Sequence, residues 1–150
     1  MEFILKGKAQ DVFGRLSEMK NLAEAGGGVI YQGTRGEPGD VNVLRMEIAS
    51  SGKVDIRPLS PEPSRKLWNH SPDGFEWGYC GSGPAQLALA LLLDALGDEK
   101  LAVCYHQAFK ECFVAGWKSI WDIRAGQIKR WVQLRQHAED ARLMEPADGK

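Results

Sequence analysis

The chain has 150 residues, 43% of them hydrophobic, 26% charged and 9% aromatic, which suits one folded domain with its own core and excludes wholesale disorder. Nineteen basic residues against twenty acidic ones leave a net charge of −1, so bulk nucleic-acid binding through a basic excess is not expected, although a local basic pocket is allowed. The longest apolar run, Leu87 to Leu93, is far short of the ~20 residues that a membrane span needs, and Glu2 and Lys6 bracket only a short apolar stretch at the start. Neither a membrane partner nor a signal peptide is expected, and the expected location is the cytoplasm. Cys80, Cys104 and Cys112 are an odd number without an export signal, so reduced thiols are expected.

In chain order, Met1 to Lys6 could form a short strand. Ala9 to Ala25 carries Val12, Leu16, Met19 and Ala23 at helical spacing before Gly26-Gly-Gly28 stops it, the pattern of an added amphipathic lid or arm. Three strands are expected next, over Val29–Gly33, Val41–Ile48 and Val54–Leu59, with Gly36-Glu-Pro-Gly39 and Ser50-Ser-Gly52 as turns of an antiparallel meander. Ser60 to Arg65, with prolines at 58, 61 and 63, reads as an extended connection. Ser82-Gly-Pro84 opens a helix to Gly97 that is apolar nearly all round and therefore buried, with Ser82 as its N-cap. A second helix over about 98–116 places Leu101, Tyr105, Ala108, Cys112 and Ala115 on one face, and a third runs from about Ala125 to Met144. Trp117 to Ile123 is a strand or a tight connection, and the tail after Glu145 should fray. The expected architecture is a single α+β domain over 1–150: a small antiparallel sheet on two or three helices. It divides into an N-terminal arm and extra helix at 1–28, a core at 29–132, and a helix end and tail at 133–150.

The most informative segment runs from Asn69 to Gln86, where turn residues, three aromatics and a helix start fall within eighteen positions. If Phe75, Trp77 and Tyr79 lie on an extended backbone they share one face, suited to stacking a base. Gly81, Ser82, Gly83 and Gln86 then bring backbone N–H groups at the helix head to a phosphate. Equally, the aromatics fill the core and the glycines make a tight turn. Asp73, Glu76 and His70 are the best available acid–base set for a small hydrolase or transferase, and they also suit ordinary turn chemistry. Ser82 lacks the flanking pattern of a nucleophile elbow, and Gly81-Ser-Gly83-Pro-Ala-Gln86 lacks the last glycine of a dinucleotide fingerprint. Cys104, His106 and Cys112 do not have the paired spacing of a zinc site, so no metal, cofactor or catalytic residue is assigned. The tryptophans at 117, 121 and 131, interleaved with basic residues over 118–135, suit a single-strand platform, an inhibitor surface, or closure of the core or a subunit interface.

The string from Ser71 to Leu92, with Tyr31-Gln-Gly-Thr-Arg35 before it and Trp121-Asp-Ile and Ile128-Lys-Arg-Trp131 after it, resembles a family of small phage and bacterial proteins of unknown function, over about Val29 to Trp131. Cys80 stands where that pattern leads one to expect glycine. More loosely, the architecture is similar to the phage anti-Thoeris proteins, sponges that sequester signalling nucleotides. That resemblance implies a non-catalytic homodimer or higher homo-oligomer that captures a phosphorylated or cyclic nucleotide. It assigns base stacking to Phe75, phosphate approach to Gly81–Gly83, and cationic partners to Arg35 and Arg124, since arginine's fork suits phosphate oxygens.

Overall fold

The computed structural model describes residues 9–37 and 39–144, with side chains from Leu16 onward. The possible strand at 1–6 and the tail after Met144 lie outside them. In chain order the elements are helix α1 (Ala9–Glu24), strands β1 (Gly27–Arg35), β2 (Val41–Ala49) and β3 (Val54–Pro58), and helices α2 (Glu62–Leu67), α3 (Ser82–Leu96) and α4 (Glu99–Cys112). A 3-10 turn (Val114–Gly116), strand β4 (Ile120–Arg124) and helix α5 (Ala125–Met144) complete the fold.

The meander β1–β2–β3 forms as the alternation of apolar residues predicts, and the ambiguous Trp117–Ile123 stretch supplies β4, which pairs with β1. The sheet is antiparallel throughout in the order β3-β2-β1-β4. Because successive side chains point to opposite faces, Tyr31, Val43, Trp121 and Ile123 face one layer while Ile30, Met46 and Ile48 face another. The first layer is the main core. α3 lies at its centre with eleven of its 15 residues buried, which is why its sequence is apolar all round. The second face is covered by Met19, Leu22 and Ala23 of α1, so the expected arm docks on the sheet. Leu16, expected on the same stripe, is exposed.

Three local expectations are corrected. Pro61-Glu-Pro63 does not prolong an extended connection. Proline is compatible with a first helical turn, and Glu62–Leu67 forms a short helix in which Glu62 pairs with Arg65 at 2.8 Å. The N-cap of α3 is Gly81, in extended conformation and without a side-chain cap bond, and Ser82 is already helical. α4 begins after Asp98, whose carboxylate accepts from the Leu101 N–H at 3.0 Å, and stops at Cys112; its buried face is Ala102, Tyr105, His106 and Phe109, leaving Cys112 exposed.

A polar clip ties the sheet to α3. The fully buried Tyr31 donates its hydroxyl to Asp94 Oδ2 at 2.5 Å, and Arg45 Nε donates to the same oxygen at 2.8 Å. Burial first, and then the bond to Asp94, push the Tyr31 hydroxyl far above its usual value, so it stays a donor at any ordinary pH. Tyr31→Phe is expected to lower unfolding stability by about 1.5–3 kcal/mol, the usual worth of a hydrogen bond to a charged group. A urea-denaturation shift below a few tenths of a kcal/mol would show that Arg45 alone satisfies Asp94.

Candidate functional site

The segment that the sequence marks as informative splits into three neighbourhoods. The first is a knot at the head of α3. Residues 75–79 form no strand, so Phe75, Trp77 and Tyr79 do not share a face. Trp77 is 1% exposed and serves as a core plug; its indole N–H donates to the Lys118 carbonyl at 2.7 Å and its ring meets Trp121 edge-on at 5.6 Å. The guanidinium of Arg35 lies 4.8 Å from the Trp77 ring centroid, donates to the Trp77 carbonyl at 2.9 Å and is ion-paired with Glu76. Gly81 and Gly83 are needed for close approach, and what approaches is the chain itself. A methyl group at 81 would lie 2.5 Å from the Tyr79 ring, and one at 83 would lie 2.6 Å from Glu76 Cβ. Tyr79 remains half exposed over this turn.

The second neighbourhood is a clasp around Gln86. This fully buried side chain accepts from the N–H groups of His70 at 2.7 Å and Ser71 at 3.0 Å, and donates to Ser64 Oγ at 2.9 Å. It thereby joins α3, α2 and the loop before the Gly-rich turn. His70 in turn places Nε2 2.9 Å from Nε2 of His106 on α4. Arg124 belongs to neither neighbourhood: its Nε donates to Glu18 of α1 at 2.5 Å.

The third is a groove of about 530 Å3 at the end of the β2–β3 hairpin, within the range of small-ligand sites. The β2–β3 ladder ends at Leu44 opposite Pro58, with one further bond from the Leu59 N–H to the Val43 carbonyl, so Val41 and Asn42 run on past the end of β3. Pro58 fits this edge position because the ladder bond comes from the next residue, Leu59, so that the proline nitrogen faces away from β2. Val41, Asn42 and Leu44 line one part of the resulting notch; Asp73, Gly74 and Phe75 line another. Arg57 lines it as well, paired with Asp55 at 2.5 Å and with more than half of its side chain exposed. Phe75 is partly buried, packed against the core while contributing to the groove.

Of the residues singled out from the sequence, then, Phe75 reaches the groove, Arg35, Trp77, Tyr79, Gly81 and Gly83 meet in the knot, and Gln86 holds the clasp. The acid–base candidates have different neighbours: Asp73 lines the groove, Glu76 is bound to Arg35, and His70 to His106. Sequence reasoning missed Arg57 and the overhanging Val41–Asn42 edge. The available signal was Pro58, which marks the strand as an edge strand. Among the described residues no group of three or more His, Cys, Asp or Glu side chains could hold a metal ion, and no helix is long and apolar enough to cross a membrane.

A family model described as a family of unknown function (DUF6166) matches residues 31–134. The chain belongs to this DUF6166 family. The match begins inside β1 and ends within α5, close to the core expected from the sequence. It takes in the knot, the clasp and the groove, while α1 and the outer half of α5 lie outside the matched residues. No curated protein and no solved structure matches the chain.

Proposed function

We propose that this DUF6166 protein is a non-catalytic binding protein that captures a small nucleotide-type ligand in the groove beside β3. In the sharper form implied by the phage resemblance, it withholds a phosphorylated or cyclic nucleotide immune signal, as an anti-defence sponge does. The observation that carries this reading is that Phe75 and Arg57 both line one cavity of ligand size. An aromatic face stacks a base, and a guanidinium binds phosphate oxygens through two parallel N–H groups. The Val41–Asn42 edge beyond the ladder presents backbone of the kind that reads a base edge. Capture needs tight binding and no activated nucleophile, and two of the acid–base candidates, Glu76 and His70, are each held by a structural partner. Arg35 and Arg124 then act through the fold, the one holding the Glu76–Trp77 turn and the other pinning α1.

Incubation with a panel of linear and cyclic nucleotides, followed by heat denaturation and chromatography of the supernatant, tests the reading. Intact nucleotide released from the denatured protein supports capture. A converted product makes the protein an enzyme, and failure of the whole panel to bind removes the nucleotide reading. With a bound nucleotide in hand, Phe75→Ala is expected to weaken affinity by about 1–3 kcal/mol, the worth of one stacked base. Unchanged affinity in a variant that still melts cooperatively would remove Phe75 from the site.

A further inference from the structure

The imidazoles of His70 and His106 meet beneath Trp68, on the segment whose continuation walls the groove. His106 is 1% exposed, and its Nδ1 lies 2.7 Å from the Val103 carbonyl. A carbonyl can only accept, so Nδ1 of His106 carries the proton and Nε2 is bare in the neutral ring. The 2.9 Å bond between the rings is then donated by the Nε2–H of His70, whose own Nδ1 is left unprotonated. Trp68 stacks on His70 at 4.6 Å and meets His106 edge-on at 5.5 Å.

This arrangement has room for one proton and not for two. The first can enter at Nδ1 of His70 and leave the bond between the rings intact. A second has only Nε2 of His106 to occupy, and there it turns the bond into two N–H groups and two positive charges facing each other at hydrogen-bond distance. Lys110 on α4 adds a further positive charge acting on both rings. The groups presented by the other packed elements, Gln86 from α3 and Trp68 after α2, are uncharged. The two rings bond to each other, and His106 also meets the backbone carbonyls of Val103 and Ala102.

We propose that His70 and His106 form a proton-sensitive latch that holds residues 68–73, the stretch that leads to Phe75, against α3 and α4, and that double protonation releases this segment. What the latch holds is a short span. Upstream lies the end of α2, and downstream Gly74, with φ of +105°, supplies a backbone state that other residues rarely adopt and a natural hinge. Between them the segment is fastened by the imidazole pair, by the two N–H groups on Gln86 and by Arg65 on the Pro72 carbonyl. Burial above all holds both histidines below their usual value of 6.5; the His106 and Lys110 charges add to this at His70, while at His106 the Val103 and Ala102 carbonyls oppose it and Lys110 adds to it. A histidine lowered on folding adds stability that is complete above about pH 6.5 and is lost as the pH falls through the lowered value. The latch is therefore closed at neutral pH and opens in acid. The consequence for ligand capture rests on the reading above; the latch itself does not, and its test reads rings and amides.

Imidazole nitrogen NMR of the labelled full chain from pH 8 to 4, with amide exchange over the same range, decides the matter. Expected are Nδ1–H on His106 and Nε2–H on His70 at neutral pH, a first proton on His70 Nδ1, and an acid step on His106. At that step, exchange at the His70 and Ser71 amides should rise at least tenfold, after correction for intrinsic rates, while α3 core amides stay protected. His106→Gln keeps an acceptor for His70 without titrating and should abolish the step. Two rings titrating independently near the usual value, unchanged exchange at 70–71, or a step that survives His106→Gln would each overturn the latch. If that variant fails to fold, the wild-type titration decides alone. Loss of nucleotide binding with an intact step would count against the capture reading only.

Discussion

Gln86→Leu is expected to lower unfolding stability by about 2–4 kcal/mol, because it strands the buried Ser71 N–H, at about 1–3 kcal/mol, and leaves the part-buried His70 N–H only the Trp68 carbonyl at 3.1 Å. The side chain is completely buried, and its one carbonyl oxygen serves both the His70 and Ser71 N–H groups. Leucine of similar volume fills the space and restores neither bond, so packing gain cannot offset the loss. Ser64 Oγ also loses its donor, though it keeps its own bond to the Pro61 carbonyl at 2.8 Å. For a chain of this length the loss corresponds to roughly 2–4 °C of melting temperature per kcal/mol. Urea denaturation of wild type and variant measures the difference directly, and a change under about 1 kcal/mol would mean that water replaces the amide.

Gly33→Ala is the second substitution expected to act strongly, in the opposite sense of adding an atom. Gly33 sits on β1 directly opposite Trp121 of β4, and the indole lies over its α-carbon, so a methyl group there would overlap the ring. The indole has no room to retreat. It stacks on Trp117 at 4.0 Å between centroids and meets Trp77 edge-on, and it is itself 5% exposed. Overpacking of this kind costs about 1–3 kcal/mol where neighbours can shift, and the upper part of that range is expected here because three indoles must move together. Trp121→Leu in the same chain should relieve the clash, so that the double variant is more stable than the sum of the single effects predicts. A Gly33→Ala chain within 0.5 kcal/mol of wild type would show that the β1–β4 pair opens more easily than its register implies.

These two positions also show how far the local pattern could be read. Gln86 stands in a run of leucine and alanine, and the buried character of that helix is plain from its neighbours. The partner of a buried glutamine, however, is a loop 15 residues upstream, and nothing local announces it. Gly33 reads from the sequence as the end of the first strand; its reason for being glycine is a tryptophan almost ninety positions later. The alternation of Phe75, Trp77 and Tyr79 promised a stacking face, but the glycine at 78 takes φ of +88° and breaks the extended backbone that such a face requires. One aromatic is sent into the core, one to the groove and one to the surface.

The meaning of individual charges changes in the same way. The nearly balanced charge predicted no broad basic surface, and the two arginines marked from the sequence prove to be matched to single carboxylates, Arg35 to Glu76 and Arg124 to Glu18. The groove's arginine is Arg57 instead, a residue of an edge strand whose sequence surroundings, alternating charge with isoleucine and valine, are those of an ordinary exposed strand.

What the sequence by itself determined is the layer plan. Period-two alternation specifies the meander, a helix apolar on all sides must lie at the centre, and a composition with enough hydrophobic residues for one core makes the α+β domain. These are local or summed properties, carried by nearest neighbours along the chain. Which face α1 covers, where β4 pairs, which carboxylate holds which arginine, and the meeting of His70 with His106 were decided only in the tertiary structure. Each depends on residues tens of positions apart being brought within a few ångströms, and such pairings are selected by the packing of the whole core rather than by the propensity of any segment.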